Sequence, residues 1–186
     1  MESTKTRILK KLLETDGYLS GQELCEQLGV SRTAVWKYMK QLKEEGYEIE
    51  AVQNKGYCLK DVPDVLGESE IKSRLHTRWA GQTLYYYDEI DSTNTQIKRL
   101  AEEDAPHGTL AVADYQSRGK GRRGRAWDSP HGSAIYMSIL FRPEIRPDRA
   151  SMLTLVIGLS VTQAIRSNLG LQAQIKWPND VVLNGK

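Results

Sequence analysis

The chain has 186 residues, a formal net charge of +2, 39% hydrophobic and 27% charged residues, as expected for a globular protein of one or two domains. So small a net charge excludes general polyanion binding, and any nucleic-acid role must rest on local charge. Two cysteines, Cys25 and Cys58, exclude a disulfide framework and a cysteine-based metal site, and the absence of a signal-peptide core or an 18-residue apolar run predicts a cytoplasmic protein with no membrane partner.

Residues 4–15 place Ile8, Leu9, Leu12 and Leu13 on one helical face, opposite Lys10 and Lys11, and Gly17 is the stop. Ser20 and Glu23 read as a capping box for a short second helix carrying Leu24 and Leu28, ended by Gly29. Ser31 caps a third helix reaching about Glu45, with a core drawn from Ala34, Val35, Tyr38, Met39 and Leu42. Two helices around a tight glycine turn form a helix-turn-helix pattern. The predicted DNA-binding element therefore runs from Gly21 to Lys40. Its key residues are Ser31, Arg32, Thr33, Trp36 and Lys37, at the helix start where base edges are met. No acid interrupts residues 31–43. A hairpin over residues 47–60, turning at Gln53-Asn54-Lys55-Gly56, adds a wing with Lys55 at its tip. A small helical domain that binds protein is the competing reading.

Residues 61–64 (Asp-Val-Pro-Asp) read as a linker, so that the first domain covers residues 1–62 and the second residues 63–186. The second part begins with a helix over residues 69–75 and a strand over 84–88, where Tyr85, Tyr86 and Tyr87 suit a pleated surface. Asp91-Ser92-Thr93-Asn94 follows. It reads either as a helix N-cap or as small hydrogen-bonding side chains set around a polar ligand. A helix with Ile97, Leu100 and Ala101 comes next, then a strand over 110–115, an alternating strand over 134–141 and an apolar helix over 151–169 stopped by Gly170. Short strands over 175–177 and 181–183 flank a Pro178-Asn179-Asp180 bend. Asn184-Gly185 is a strong hairpin signal, yet the sequence stops at Lys186 without a returning strand, which reads as a catalytic unit cut short.

Between two of these strands lies YQSRGKGRRGRAWDSP, residues 115–130. Arg118, Lys120, Arg122, Arg123 and Arg125 alternate with Gly119, Gly121 and Gly124. Glycine lets backbone approach a ligand without a Cβ, and arginine forks bind phosphate or carboxylate oxygens bidentately. The glycines satisfy G-x-G-x-x-G, but Arg-Ala-Trp-Asp-Ser-Pro is a poor helix start, so a dinucleotide fingerprint fails on context. A Walker loop fails because Gly121 follows Lys120. A solvated basic loop and a dedicated phosphate-and-carboxylate loop both remain open.

Three separated signals coincide in this sequence: DSTN at residues 91–94, GKGRRGR at 119–125 and KWPND at 176–180. Behind a winged helix-turn-helix, they resemble the bacterial biotin protein ligases that double as biotin operon repressors. The resemblance implies an α+β protein, a winged helix followed by part of a catalytic domain similar to class II aminoacyl-tRNA synthetases, with the rest of that domain and an SH3-like C-terminal domain missing. It also implies a two-step reaction in which biotin and ATP, with Mg²⁺, give biotinyl-5′-AMP. A lysine of the biotin carboxyl carrier protein of acetyl-CoA carboxylase then takes the biotin. The adenylate would be the corepressor at operator DNA, where a homodimer is an open expectation. Carried over residue by residue, Ser92, Thr93, Asn94 and Gln116 would hold biotin, together with Lys120, Gly121, Arg122 and Lys176. Gly119, Lys120, Arg122, Arg125 and Trp127 would line the adenylate, and Lys176 and Arg122 would be catalytic. The commonest family loop reads GRGRRGR, so Lys120 keeps a charge but loses a fork. No zinc or other protein-held metal is expected, since His76, His107 and His131 lack ligand spacing. The alternatives are a chain that only binds DNA and senses biotin without ligase activity, and a nucleic-acid module with no small ligand.

Overall fold

The computed structural model describes residues 3–186, Arg122 by its backbone alone. Thr4–Glu14 (α1) begins where the Ser3 hydroxyl accepts from the Thr6 N–H at 3.1 Å, and its apolar face buries Ile8, Leu9 and Leu12. Gly21–Leu28 (α2) starts at Ser20, but the expected capping box does not close. Ser20 Oγ accepts from the Gln22 N–H at 3.2 Å, while Glu23 turns along the helix and accepts from Gln27 Nε2 at 2.8 Å. Gly29, with φ +66°, stops α2, and Ser31 caps Arg32–Glu44 (α3) through the Ala34 N–H at 3.2 Å. Of the five core candidates on α3, Val35, Met39 and Leu42 are buried, joining Leu24 and Leu28 in one cluster. Each such side chain contributes about 1.5–3 kcal/mol on full burial.

Glu48–Val52 (β1) and Gly56–Asp61 (β2) form the antiparallel wing. Leu19 and Tyr57 exchange backbone hydrogen bonds at 2.8 and 2.9 Å, tying the wing to the loop before α2. The approach is so close that a Cβ on Gly56 would lie 2.1 Å from the Leu19 carbonyl oxygen. Only glycine fits there. Beyond the wing, Glu68–Ser73 (α4) packs on α1. The Tyr47 hydroxyl donates to Glu70 at 2.6 Å, and Glu70 also pairs with Arg74. Burial and the bond to Glu70 push the Tyr47 phenol well above its ordinary value. The segment after the wing therefore delivers a docked helix.

Leu84–Ile90 (β3) crosses through Thr93–Glu102 (α5) to Leu110–Gln116 (β4), which lies parallel to β3. Gly119–Lys120 (β5) and Ala126–Trp127 (β6) make a separate two-stranded ribbon. Tyr136–Ile139 (β7) completes the β3-β4-β7 sheet antiparallel to β4. The alternation over residues 134–141 thus outruns the paired strand. Ile97 and Leu100 of α5 pack with Ala105 and Ala111. The parallel register sets Ile90 opposite Gln116, so the chain leaving β3 and the chain leaving β4 emerge side by side.

The chain falls into two compact units, the first ending at Phe141 and the second covering Arg142–Lys186. In the second, Met152–Leu169 (α6) ends at Gly170, φ +66°. Met152, Val156 and Leu159 on α6 are exposed. Gln174–Lys176 (β8) pairs antiparallel with Asp180–Val182 (β9). This corrects the expectation that the second strand would await a partner beyond Asn184-Gly185. The proline bend at 177–179 is itself the hairpin turn. Asn184 and Gly185 still turn the chain with positive φ, closed by the Leu183 and Lys186 backbones at 2.9 and 3.0 Å. Among the described residues no helix is long and apolar enough to cross a membrane.

Candidate functional site

The parallel β3–β4 pair brings two loops together at its C-terminal end, the end at which α/β sheets gather ligands. Ser117 N–H donates to the Ile90 carbonyl at 2.9 Å and Arg118 N–H to the Asp91 carbonyl at 2.8 Å. The Asp91-Ser92-Thr93-Asn94 corner and the start of the basic loop are thereby laced. Asp91 is bound within the corner itself. Arg99 grips both its carboxylate oxygens, at 3.2 and 2.7 Å, and the Ser92 N–H donates to it at 2.7 Å. The Arg99 bond, helped by the Ser92 N–H and more weakly by nearby Lys120, holds the Asp91 carboxyl below its ordinary 3.8.

Ser92 stands at the N-cap position of α5, yet its side chain makes no capping bond. Its hydroxyl is buried and has no hydrogen-bond partner among the described residues, and the residue is 1% exposed. An unsatisfied buried hydroxyl costs about 1–3 kcal/mol, so this is not the arrangement of a structural cap. Next to it, Thr93 is fully engaged. Its N–H and hydroxyl both donate to Gln116 Oε1, at 2.8 and 3.1 Å, and its oxygen accepts from Ser138 at 3.0 Å. Gln116 Nε2 in turn donates to the buried Ser129 hydroxyl at 2.9 Å. Asn94 is exposed on the first turn of α5.

The basic loop is a folded ribbon. Gly119 pairs with Trp127 and Lys120 with Ala126, and the Gly121 N–H donates to the Arg125 carbonyl at 2.8 Å. Its tip turns with positive φ at Arg123 (56°) and Gly124 (75°). Gly119 is glycine for an internal reason, since a Cβ there would meet the Trp127 carbonyl oxygen at 2.3 Å and Ser129 Oγ at 2.7 Å. The absence of a side chain at Gly119 is therefore required by the ribbon's own packing. Lys120, Arg125 and Trp127 are exposed along the ribbon, while the Arg122 side chain lies outside the described residues. Lys176, exposed at the end of β8, belongs to the second unit. The first unit therefore brings together Ser92, Thr93, Gln116 and the stem of the basic ribbon. The sequence reading missed Arg99, Ser129 and Ser138 as members of this cluster. Isolated serines and an arginine in the last turn of a helix carry no local signal.

At the winged helix, a groove of about 550 Å³ runs between α3 and the wing, lined by residues including Gln22, Arg32, Asn54, Lys55 and Tyr57. Trp36 is 60% exposed, and Thr33 and Lys37 also face solvent. Lys55 lies 5.5 Å from the Tyr18 ring centroid. Of the side chains expected to contact DNA, Arg32 and Lys55 line this groove.

The fold is that of a helix-turn-helix domain followed by a mixed α+β domain. Residues 4–58 match the HTH domain family and residues 86–186 the Biotin/lipoate A/B protein ligase family. This chain belongs to the Biotin/lipoate A/B protein ligase family, as a homologue of the bifunctional ligase/repressors called BirA. It is 46% identical to the bifunctional ligase/repressor BirA of Bacillus spizizenii, over all of this chain and 58% of the relative. The Escherichia coli protein of the same description is 35% identical over 94% of this chain and 53% of its own length. The chain thus spans little more than half the length of these relatives. A solved biotin protein ligase from Aquifex aeolicus, in complex with biotin and ATP, is 39% identical with a TM-score of 0.48, over 55% of this chain and 42% of that one.

Proposed function

We propose that this chain carries the biotin-binding and adenylate-forming residues of a biotin protein ligase, joined to an operator-binding winged helix, with the division between the two near residue 62. One observation carries the reading: a buried serine hydroxyl without a partner among the described residues, at the corner between two parallel strands, beside a locked Gln116 amide and a ribbon of cations. A ligand that hydrogen-bonds to Ser92 converts a standing cost into a satisfied bond. Family membership and similarity to bifunctional ligase/repressors support biotin as that ligand.

The chemistry asks for positioning more than for a reactive side chain. The biotin carboxylate oxygen attacks the α-phosphorus of ATP, a bond forms to give biotinyl-5′-AMP, and pyrophosphate leaves. Two anions must meet, so fixed cations in a water-poor site lower the barrier. Ser92 and Gln116 hold the head of biotin, with Thr93 setting the amide and Asn94 at the exposed rim. Gly119, Lys120, Gly121, Arg122, Arg125 and Trp127 form the carboxylate and phosphate side. Lys176 neutralises charge between carboxylate and phosphate. Mg²⁺ would come with the ATP phosphates and offset their charge. In the second step a lysine amine of the carrier protein attacks the mixed anhydride carbonyl and AMP leaves.

Arg32, Thr33, Trp36 and Lys37, with Lys55 on the wing, contact operator DNA, and the adenylate acts as corepressor. The test is direct. The full-length protein, given biotin, ATP and the carrier domain, transfers biotin to the carrier lysine on an avidin blot. Operator binding that responds to biotinyl-5′-AMP, with no label on the carrier, favours a sensor without ligase activity.

A further inference from the structure

The hydrogen bonds around Gln116 are directional. A backbone N–H only donates, so the atom facing Thr93 N must be the amide oxygen, whatever the usual ambiguity of amide orientation. Both acceptor sites of Gln116 Oε1 are then filled, by the Thr93 N–H and the Thr93 hydroxyl. One amide N–H is spent on Ser129 Oγ. The second amide N–H has no partner among the described residues and is left for a ligand. Ser129 has its own hydrogen to place, and it donates to the Trp127 carbonyl at 3.2 Å. Trp127 is the partner of Gly119 at the root of the basic ribbon, and the Gly119 backbone closes over the same Ser129 hydroxyl.

We infer that Ser129 is a positioning residue of the ligase reaction, joining the Gln116 amide to the root of the basic ribbon through two hydrogen bonds. This rests on the reading that Gln116 faces biotin. With Ser129 in place, the amide plane and the ribbon share one buried anchor. The group that orients biotin and the backbone that carries the phosphate-facing cations are thus set relative to each other before any ligand arrives. Ser138 has a lesser part on the far side of the same relay, since its hydroxyl donates to Thr93.

The experiment is a double-mutant cycle in the full-length protein, read as the biotin KM in pyrophosphate exchange. Ser129→Ala raises the biotin KM about tenfold, the size expected for losing one buried hydrogen bond to an amide. In a Gln116→Ala background the same change has a much smaller effect, since only the bond to the Trp127 carbonyl is left to lose. Ser138→Ala gives a smaller rise, absent without Gln116. Ser129→Cys keeps the shape with a weak acceptor and carries the same cycle if the alanine variant does not fold. An equal rise in both backgrounds, or no rise while Gln116→Ala itself raises KM, overturns the inference about Ser129 alone. An unchanged biotin KM in Gln116→Ala overturns the biotin reading of Gln116 and this inference with it.

Discussion

Replacing Ser92 with alanine separates a ligand-binding hydroxyl from a helix cap. Ser31 is a working cap on α3, with its oxygen on the Ala34 N–H, and losing such a cap costs about 0.5–2 kcal/mol. Ser92 occupies the equivalent position on α5 and makes no such bond, so that cost does not arise. Its buried hydroxyl instead carries a desolvation cost of about 1–3 kcal/mol that alanine removes. A net gain of about 1 kcal/mol in a chain of this size raises Tm by roughly 2–4 °C. Biotin binding moves the other way. The hydroxyl recovers its desolvation cost only when the ligand bonds to it, so its loss weakens affinity roughly five- to 150-fold. Thermal unfolding of Ser92→Ala beside Ser31→Ala, with calorimetric titration of biotin, reads both effects. If Ser92→Ala loses stability as Ser31→Ala does and binds biotin as before, Ser92 is structural and the site reading fails.

Three further outcomes follow from the geometry. Gly119→Ala drives a Cβ into the Trp127 carbonyl oxygen and Ser129 Oγ, so the ribbon shifts and biotin-dependent exchange falls by at least tenfold; wild-type kinetics in this variant contradict the packing argument. Arg99→Leu frees the Asp91 carboxylate, whose folded-state value lies below 3.8. The pair's contribution to stability is therefore present in full above pH 3.8 and fades as pH falls through the folded value. The Tm gap between wild type and Arg99→Leu narrows on acidification, and a gap independent of pH refutes the assignment. Arg32→Ala with Lys37→Ala weakens operator binding and lowers its salt slope by about one unit for each phosphate no longer neutralised, while ligase turnover stays the same; a parallel fall in turnover contradicts the separation of the two functions.

Helix positions are legible because their signals are local. Ser31 and the spacing of Val35, Met39 and Leu42 define α3 without help from the rest of the chain. The capping-box pattern at Ser20 misleads, since Glu23 has an equally near partner in Gln27. The alternation over residues 134–141 overstates its strand, because alternation marks a surface while pairing with β4 decides where the strand ends. The DSTN corner is legible as a choice between cap and ligand ring. Deciding it requires the tertiary placement that leaves Ser92 Oγ unbonded. Ser129 and Ser138 lie far along the chain from Thr93 and meet it or its partner only through the sheet and the ribbon. No spacing rule in the sequence connects them.

Biotin-dependent exchange of labelled pyrophosphate into ATP tests the central claim most directly, because it reports adenylate formation without the carrier protein or DNA. The full-length protein should exchange label only when biotin is present. Lys176→Met should lower the rate at least a hundredfold, the cost of roughly 3 kcal/mol for one preorganised cation, with its thermal unfolding unchanged. Exchange that needs no biotin, no exchange at all from a folded protein that binds its operator, or a Lys176→Met variant above half the wild-type rate would contradict the account.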